Sequence, residues 1–246
     1  ATEANADVLM HSQVVDRLAN VRDYLRKDQT FFREFFTKMG VPSDTVDTAV
    51  AFPDSYWDAQ APVQVTTGLS DGDRIEGTVE LICISTPGHA PGSLCFDVRS
   101  EPKLFVGDHV LPQKTPNPLL TCEPGRADER MRNLPMYLSS LEKVPATAET
   151  VGYAGHGPLI QDLEARIQET RVHHRRRKER LADILERVGP ATPFQLMQEL
   201  FPNLPDYKVF GGMSSVIGHL DLLEADRRVE TALVDGVCRY ALSETV

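Results

Sequence analysis

Nowhere in these 246 residues is there an apolar run long enough to cross a bilayer, and the front end shows no signal-peptide pattern. Cysteine is scarce: Cys83, Cys95, Cys122 and Cys238 stand apart, with no CxxC pair among them. That excludes a disulfide framework and reads as reduced thiols of a cytoplasmic protein, Cys83 and Cys95 in buried strands. Positive charge is in deficit, giving a net charge of -10, which disfavours non-specific binding to nucleic acid or to an anionic membrane. An initiating methionine is also lacking. The chain opens "ATEANADVLMHSQ", and "ADVLMH" already reads as a strand from the middle of a fold, so a segment ahead of it is expected to have been removed. What is present is ordinary for a globular protein, with 41% apolar and 25% charged residues. The length suits one large domain or a large and a small one, and a core of that size needs no disulfide staples.

The first 60 residues are helical in pattern. "SQVVDRLANVRDYLRK" spaces Val14, Leu18, Val21 and Leu25 as one helical stripe, and "QTFFREFFTKMG" adds Phe31, Phe32, Phe35 and Phe36 before Gly40 and Pro42 stop it. These phenylalanines read either as a helix packed on the core or, with Trp57, as a wall over a substrate pocket. From 60 to 110 the period changes to strands: "TVELICIST", "SLCFDVRS" and "KLFVGD". Residues 111–128 read as a proline-rich loop, "ADERMRNLPMYLSSLEKV" as an amphipathic helix and "ETVGYAGHG" as a last strand and turn. Strands mixed with helices in this order predict an α/β domain. A long helix follows, with Arg171, Arg175, Arg176, Arg177, Lys178 and Arg180 against Glu179 in its middle. After it come "ATPFQLMQELF", capped by Thr192 with Pro193 at its first position, then "DYKVFGGMSSVIGHLDLLEAD", then a hairpin signalled by Asp235-Gly236. Helices and a hairpin in this order predict a winged-helix-like α+β domain over 166–246, behind a domain spanning 1–165.

Two of the seven histidines fall on glycine-rich turns directly after strands: His89 in "TPGHAPGS" and His156 in "YAGHGPLI". Between them "LFVGDHVL" ends a third strand at Asp108. Strand ends are rigid, and glycine lets the backbone pass close to an ion or to another loop. Imidazole nitrogen and carboxylate oxygen are the donors a divalent metal takes, and such a metal activates water and polarises a carbonyl or phosphoryl oxygen.

These three motifs resemble the later metal-binding motifs of the metallo-β-lactamase-fold hydrolases. The helix through "HHRRRKERLADILE" and the ending "GHLDLLEADRRVE" resemble the winged-helix appendage of its lactamase-β-like subgroup. The resemblance covers roughly residues 75 to 246. It implies an αββα sandwich with two divalent metal ions, zinc first and iron or manganese as alternatives. His89 would ligate one metal, His156 the other, and Asp108 would bridge them and carry the catalytic role. His109 would back the ligands or line the pocket, and "LPQKTPNPLL" would be a pocket loop. One departure is plain: the family's HxHxDH signature is absent, and its spacing places it just before Ala1. The expected explanation is a chain that lacks its first segment, so that a fragment or second chain carrying HxHxDH becomes a candidate partner.

The function these features predict is hydrolysis by a metal-bound hydroxide of a small-molecule ester, thioester or lactone, with a homodimer as a candidate assembly. An endoribonuclease-like phosphodiesterase is the alternative. Against it, residues 181–246 carry ten acidic and five basic residues, and the recognition-helix segment 207–223 offers only Lys208 to phosphates. A non-catalytic binding protein that has lost the metal site is the third reading.

Overall fold

Residues 6–51 and 63–243 are described by the computed structural model; Trp57, expected beside the pocket, lies outside them. Strand β1 (Leu9–His11) leads through a 3-10 turn into helices α1 (Val15–Ala19) and α2 (Val21–Lys38). The stripe on α2 buries Leu25, Asp28, Phe32 and Phe36, the spacing of one face of a helix. Helix α3 (Ser43–Val50) packs on it, and β2 (Thr67–Leu69) returns to pair in parallel with β1.

Next come β3 (Arg74–Ile75), β4 (Leu81–Ser85), β5 (Leu94–Val98) and β6 (Lys103–Gly107), the hairpin β7 (Cys122–Glu123) and β8 (Arg126–Arg130), helix α4 (Asn133–Lys143) and β9 (Val151–Ala154). The main sheet has the order β3-β4-β5-β6-β9. Its pairs are antiparallel up to β6, and β9 lies parallel to β6. Two reversals make β4 parallel to β6, so β4, β6 and β9 all point the same way. Their carboxyl ends therefore share one edge of the sheet.

The chain ends with α5 (Leu163–Val188), α6 (Pro193–Leu200), α7 (Val209–Ala225) and the antiparallel strands β10 (Val229–Val234) and β11 (Val237–Leu242). Asp235 and Gly236, both at positive φ, make the two-residue turn between the strands. Thr192 and Gln195 form a reciprocal capping box on α6, with Pro193 at its first position. The expected domain boundary at 165/166 falls inside the first turn of the continuous helix α5. Helix α7 is buried along most of its length on every face, from Val209 and Gly212 to Leu223. Among the described residues no helix is long and apolar enough to cross a membrane.

One sequence expectation changes. The helix predicted from Ala127 begins only at Asn133, and residues 126–130 are strand β8 instead. Pro135 explains the limit: it has no N–H to donate and its ring collides with the carbonyl four residues back, so it fits only the first turn of a helix. Upstream, Gly125 at φ +79 makes the tight turn that folds β8 back onto β7.

Two apolar clusters result. One lies under the main sheet and contains Leu104, Val106, Leu134, Tyr137 and Leu163; the other joins Phe32 and Phe36 of α2 to Leu181, Leu196, Met213 and Ile217 of the last three helices. Between them lies a polar seam. His219 Nδ1 donates to the Ser215 carbonyl at 2.6 Å, which leaves its Nε2 to accept from His174 Nδ1 at 3.3 Å. Both imidazoles are buried, and burial pushes both far below the ordinary value of 6.5.

Because burial keeps these histidines neutral in the folded protein, the unfolded chain takes up their protons first as pH falls. Stability is therefore expected to fall as pH drops below about 6.5, at up to about 1.4 kcal/mol per pH unit for each such group. Denaturant unfolding at pH 7, 6 and 5 measures this, and a His219→Leu variant is expected to show the shallower slope.

Candidate metal centre

The turn after β4 is held from below by α4. Asn133 Nδ2 donates to the Gly88 carbonyl at 3.2 Å, and the Ser140 hydroxyl donates to the Pro87 carbonyl at 2.8 Å. Gly88 adopts φ +132, and a Cβ there would lie 2.4 Å from the Tyr137 backbone, so the turn can seat on the helix only with glycine at this point. His89, next in the turn, is half-buried, and its Nδ1–H donates to the Asn117 carbonyl at 3.2 Å. A carbonyl only accepts, so this bond fixes the tautomer and leaves Nε2 with a free lone pair. Donation from one ring nitrogen to a backbone carbonyl is the usual orientation of a metal-binding histidine.

Asp108 follows Gly107, the last residue of β6, and its carboxylate faces solvent. His156 lies just past β9. The Gly155 amide donates to the Gly107 carbonyl at 2.9 Å, holding the two strand ends together. His156 Nε2 then stands 3.7 Å from Asp108 Oδ1. Gly155 is the residue that permits this approach, because a Cβ there would fall 2.5 Å from Asp108 Oδ1.

His109 turns the other way. It is buried against the Tyr137 ring, 5.1 Å between centroids, and the Tyr137 hydroxyl donates to its carbonyl at 2.8 Å. Among the described residues neither ring nitrogen makes a well-formed hydrogen bond, with the Ser140 backbone nearby. Burial pushes its pKa down to about 4, an effect the nearby Ser140 backbone offsets only in part. His11, solitary in the sequence, is also buried here and bonds the Ser85 hydroxyl through Nε2 at 3.0 Å.

The fold thus brings Asp108 and His156 together and puts His89 at the same edge of the sheet. Among the described residues no three His, Cys, Asp or Glu side chains close into a set that could hold a metal. The donors fit a divalent cation in kind: two imidazoles, a carboxylate and no thiolate, with one imidazole already oriented from behind.

Sequence reading offered Phe32 and the stretch 111–120 to a pocket but missed the other residues of a large cavity near this edge. It has a volume of about 670 Å³ and lies between α2, α3, the loop 117–121 and the start of α7. Asn117 connects cavity and turn: its carbonyl accepts from His89, and its side-chain amide donates to the Gly211 carbonyl at 2.9 Å. No motif marks Asn117, although it falls within the proline-rich stretch that the resemblance made a pocket loop.

Comparison with known proteins bears on the fold. A metallo-beta-lactamase family protein of Thermus thermophilus superposes on 98% of the chain and 73% of its own, with a TM-score of 0.70 and 25% identity. A beta-lactamase domain protein of Burkholderia ambifaria gives a TM-score of 0.70 over 85% of the chain and 60% of its own, at 22% identity. The chain has the metallo-β-lactamase fold.

In sequence, the chain is 27% identical over 223 residues to the "Probable metallo-hydrolase YqjP" of Bacillus subtilis, covering 91% of the chain and 69% of that protein. It is 26% identical over 133 residues to an atrochrysone carboxyl ACP thioesterase of Aspergillus fumigatus, half of the chain but only 38% of that protein. No family model matches the chain.

Replacing Gly155 by alanine is expected to push the Asp108 carboxylate out of its place beside His156. Zinc affinity measured by calorimetry is expected to fall by about tenfold or more, with the melting temperature little changed. Unchanged affinity would mean that this carboxylate does not bind the metal.

Proposed function

We propose that the protein is a metal-dependent hydrolase of esters, thioesters or lactones with an apolar acyl part. The observation that carries this reading is that the strands before His89, Asp108 and His156 end at one edge of the sheet, with Asp108 beside His156 and His89 oriented from behind by Asn117. The metallo-hydrolase and thioesterase among the relatives support the same reaction class.

His89 and His156 would hold the divalent metal through imidazole nitrogen, and Asp108 would supply the carboxylate donor between them. Histidine and carboxylate donors suit zinc, and equally iron or manganese. When bound, the metal supplies Lewis-acid polarisation of the substrate carbonyl. The chain's own residues do the rest. The open face at Asp108 and His156 admits the scissile group, since both side chains are exposed. Asn117 makes the His89 turn and the cavity wall one hydrogen-bonded unit, so an apolar group seated in the cavity is positioned relative to the metal ligands. Phe32, Val50, Leu120 and Phe210 would hold that group and exclude water from it.

The test is a panel of acyl thioesters, lactones, phosphodiesters and single-stranded RNA assayed with zinc, iron and manganese. The proposal expects turnover of the acyl substrates and a loss of about a hundredfold or more in kcat/KM for Asp108→Ala and for His156→Ala. Turnover of RNA or phosphodiesters alone, or full activity in Asp108→Ala, would overturn it.

A further inference from the structure

The basic run on α5 does not form one surface. Lys178 pairs with Asp226 at 2.6 Å, and Arg175 and Arg176 are exposed. Arg177 instead turns inward and lines the cavity. It is half-buried, its guanidinium lies 5.4 Å from the centre of the Phe201 ring, and Nη1 donates to the hydroxyl of buried Ser215 at 3.4 Å. Among the described residues no carboxylate forms an ion pair with it. Burial, and then Arg180, push its pKa down, as expected for a cation without a counter-charge.

The other charges of the cavity are accounted for differently. Arg17 and Asp28 line it as a pair and neutralise each other. Lys208 lies at its exposed rim, over the Tyr207 ring at 5.5 Å, and it too has no carboxylate partner among the described residues. The first turn of α7 forms part of the wall with Phe210, Gly211 and Gly212, and a helix start carries the positive end of its dipole. An apolar cavity with an uncompensated guanidinium and a cationic rim is complementary to a ligand that is apolar over most of its length and anionic at one point.

We propose that this cavity binds an anionic amphiphile: an apolar chain or ring held between α2, α3 and α7, with a carboxylate or phosphate on Arg177. The inference deepens the hydrolase reading, because it makes that anionic group part of the ester or thioester substrate. The binding itself requires neither metal nor turnover.

Calorimetry on the protein in the presence of a chelator tests it, with decanoate, decyl phosphate and decanol as probes. At least one anion is expected to bind about tenfold or more tightly than decanol, and the anion that does so identifies the source of the charge. Arg177→Met is expected to abolish the preference while leaving decanol binding unchanged, and Lys208→Gln to weaken it less. Equal binding of the alcohol and both anions to the unmodified protein, or no binding of any of them, would overturn the proposal without use of a variant. So would a preference that survives in folded Arg177→Met. Because no probe is hydrolysed, failure here leaves the hydrolase reading standing, and loss of turnover on the substrate panel leaves this binding intact.

Discussion

Tyr137 is the contact on which the rest of the arrangement depends. Its hydroxyl holds the His109 carbonyl, which fixes the backbone immediately after Asp108. Its own backbone leaves room for the His89 turn only because residue 88 is glycine. Its ring meets the rings of both His109 and His174, at 5.1 and 5.7 Å between centroids. One fully buried residue therefore touches two of the three strand-end turns and helix α5. Burial raises its hydroxyl well above the ordinary value of 10, so it stays a hydrogen-bond donor across the accessible pH range.

The C-terminal unit is joined to the sheet by charge as well as by packing. Arg130 of β8 meets Asp221 of α7 through two hydrogen bonds of 2.8 and 2.6 Å, and Asp221 is buried. Such a pair adds little net stability over an apolar one, but removing one partner costs about 3–5 kcal/mol because the other charge stays buried. The pair fixes the register of α7 against the hairpin, and α7 in turn supplies Phe210, Gly212 and Ser215 to the cavity. The cavity is thus shared between the N-terminal helices and the C-terminal unit, and Phe32 serves both as core and as cavity wall.

Much of this edge of the sheet was legible in the sequence because backbone geometry demanded marked residues there. Glycine at 88 and 155 is forced by close approach, and His89, Asp108 and His156 each follow a strand whose alternation is readable. That the three ends share an edge needed the strand order, which no local pattern encodes. The phenylalanines of α2 were legible as apolar but not as core against wall, since helical spacing places a residue on a face without saying what faces it. Arg177 was hidden among like charges: only the direction of its side chain distinguishes it from Arg175 and Arg176. The start of α4 was misplaced because the pattern upstream of Pro135 is amphipathic enough for a helix, while the proline permits none there.

Everything proposed for this edge of the sheet requires that His89, Asp108 and His156 act as ligands of one metal site. X-ray absorption at the zinc edge of the zinc-loaded protein decides this. Nitrogen and oxygen neighbours are expected at about 2.0–2.2 Å with imidazole outer-shell scattering, reduced in His89→Ala and again in His156→Ala. Sulfur neighbours at about 2.3 Å, or a spectrum unchanged by both substitutions, would contradict it.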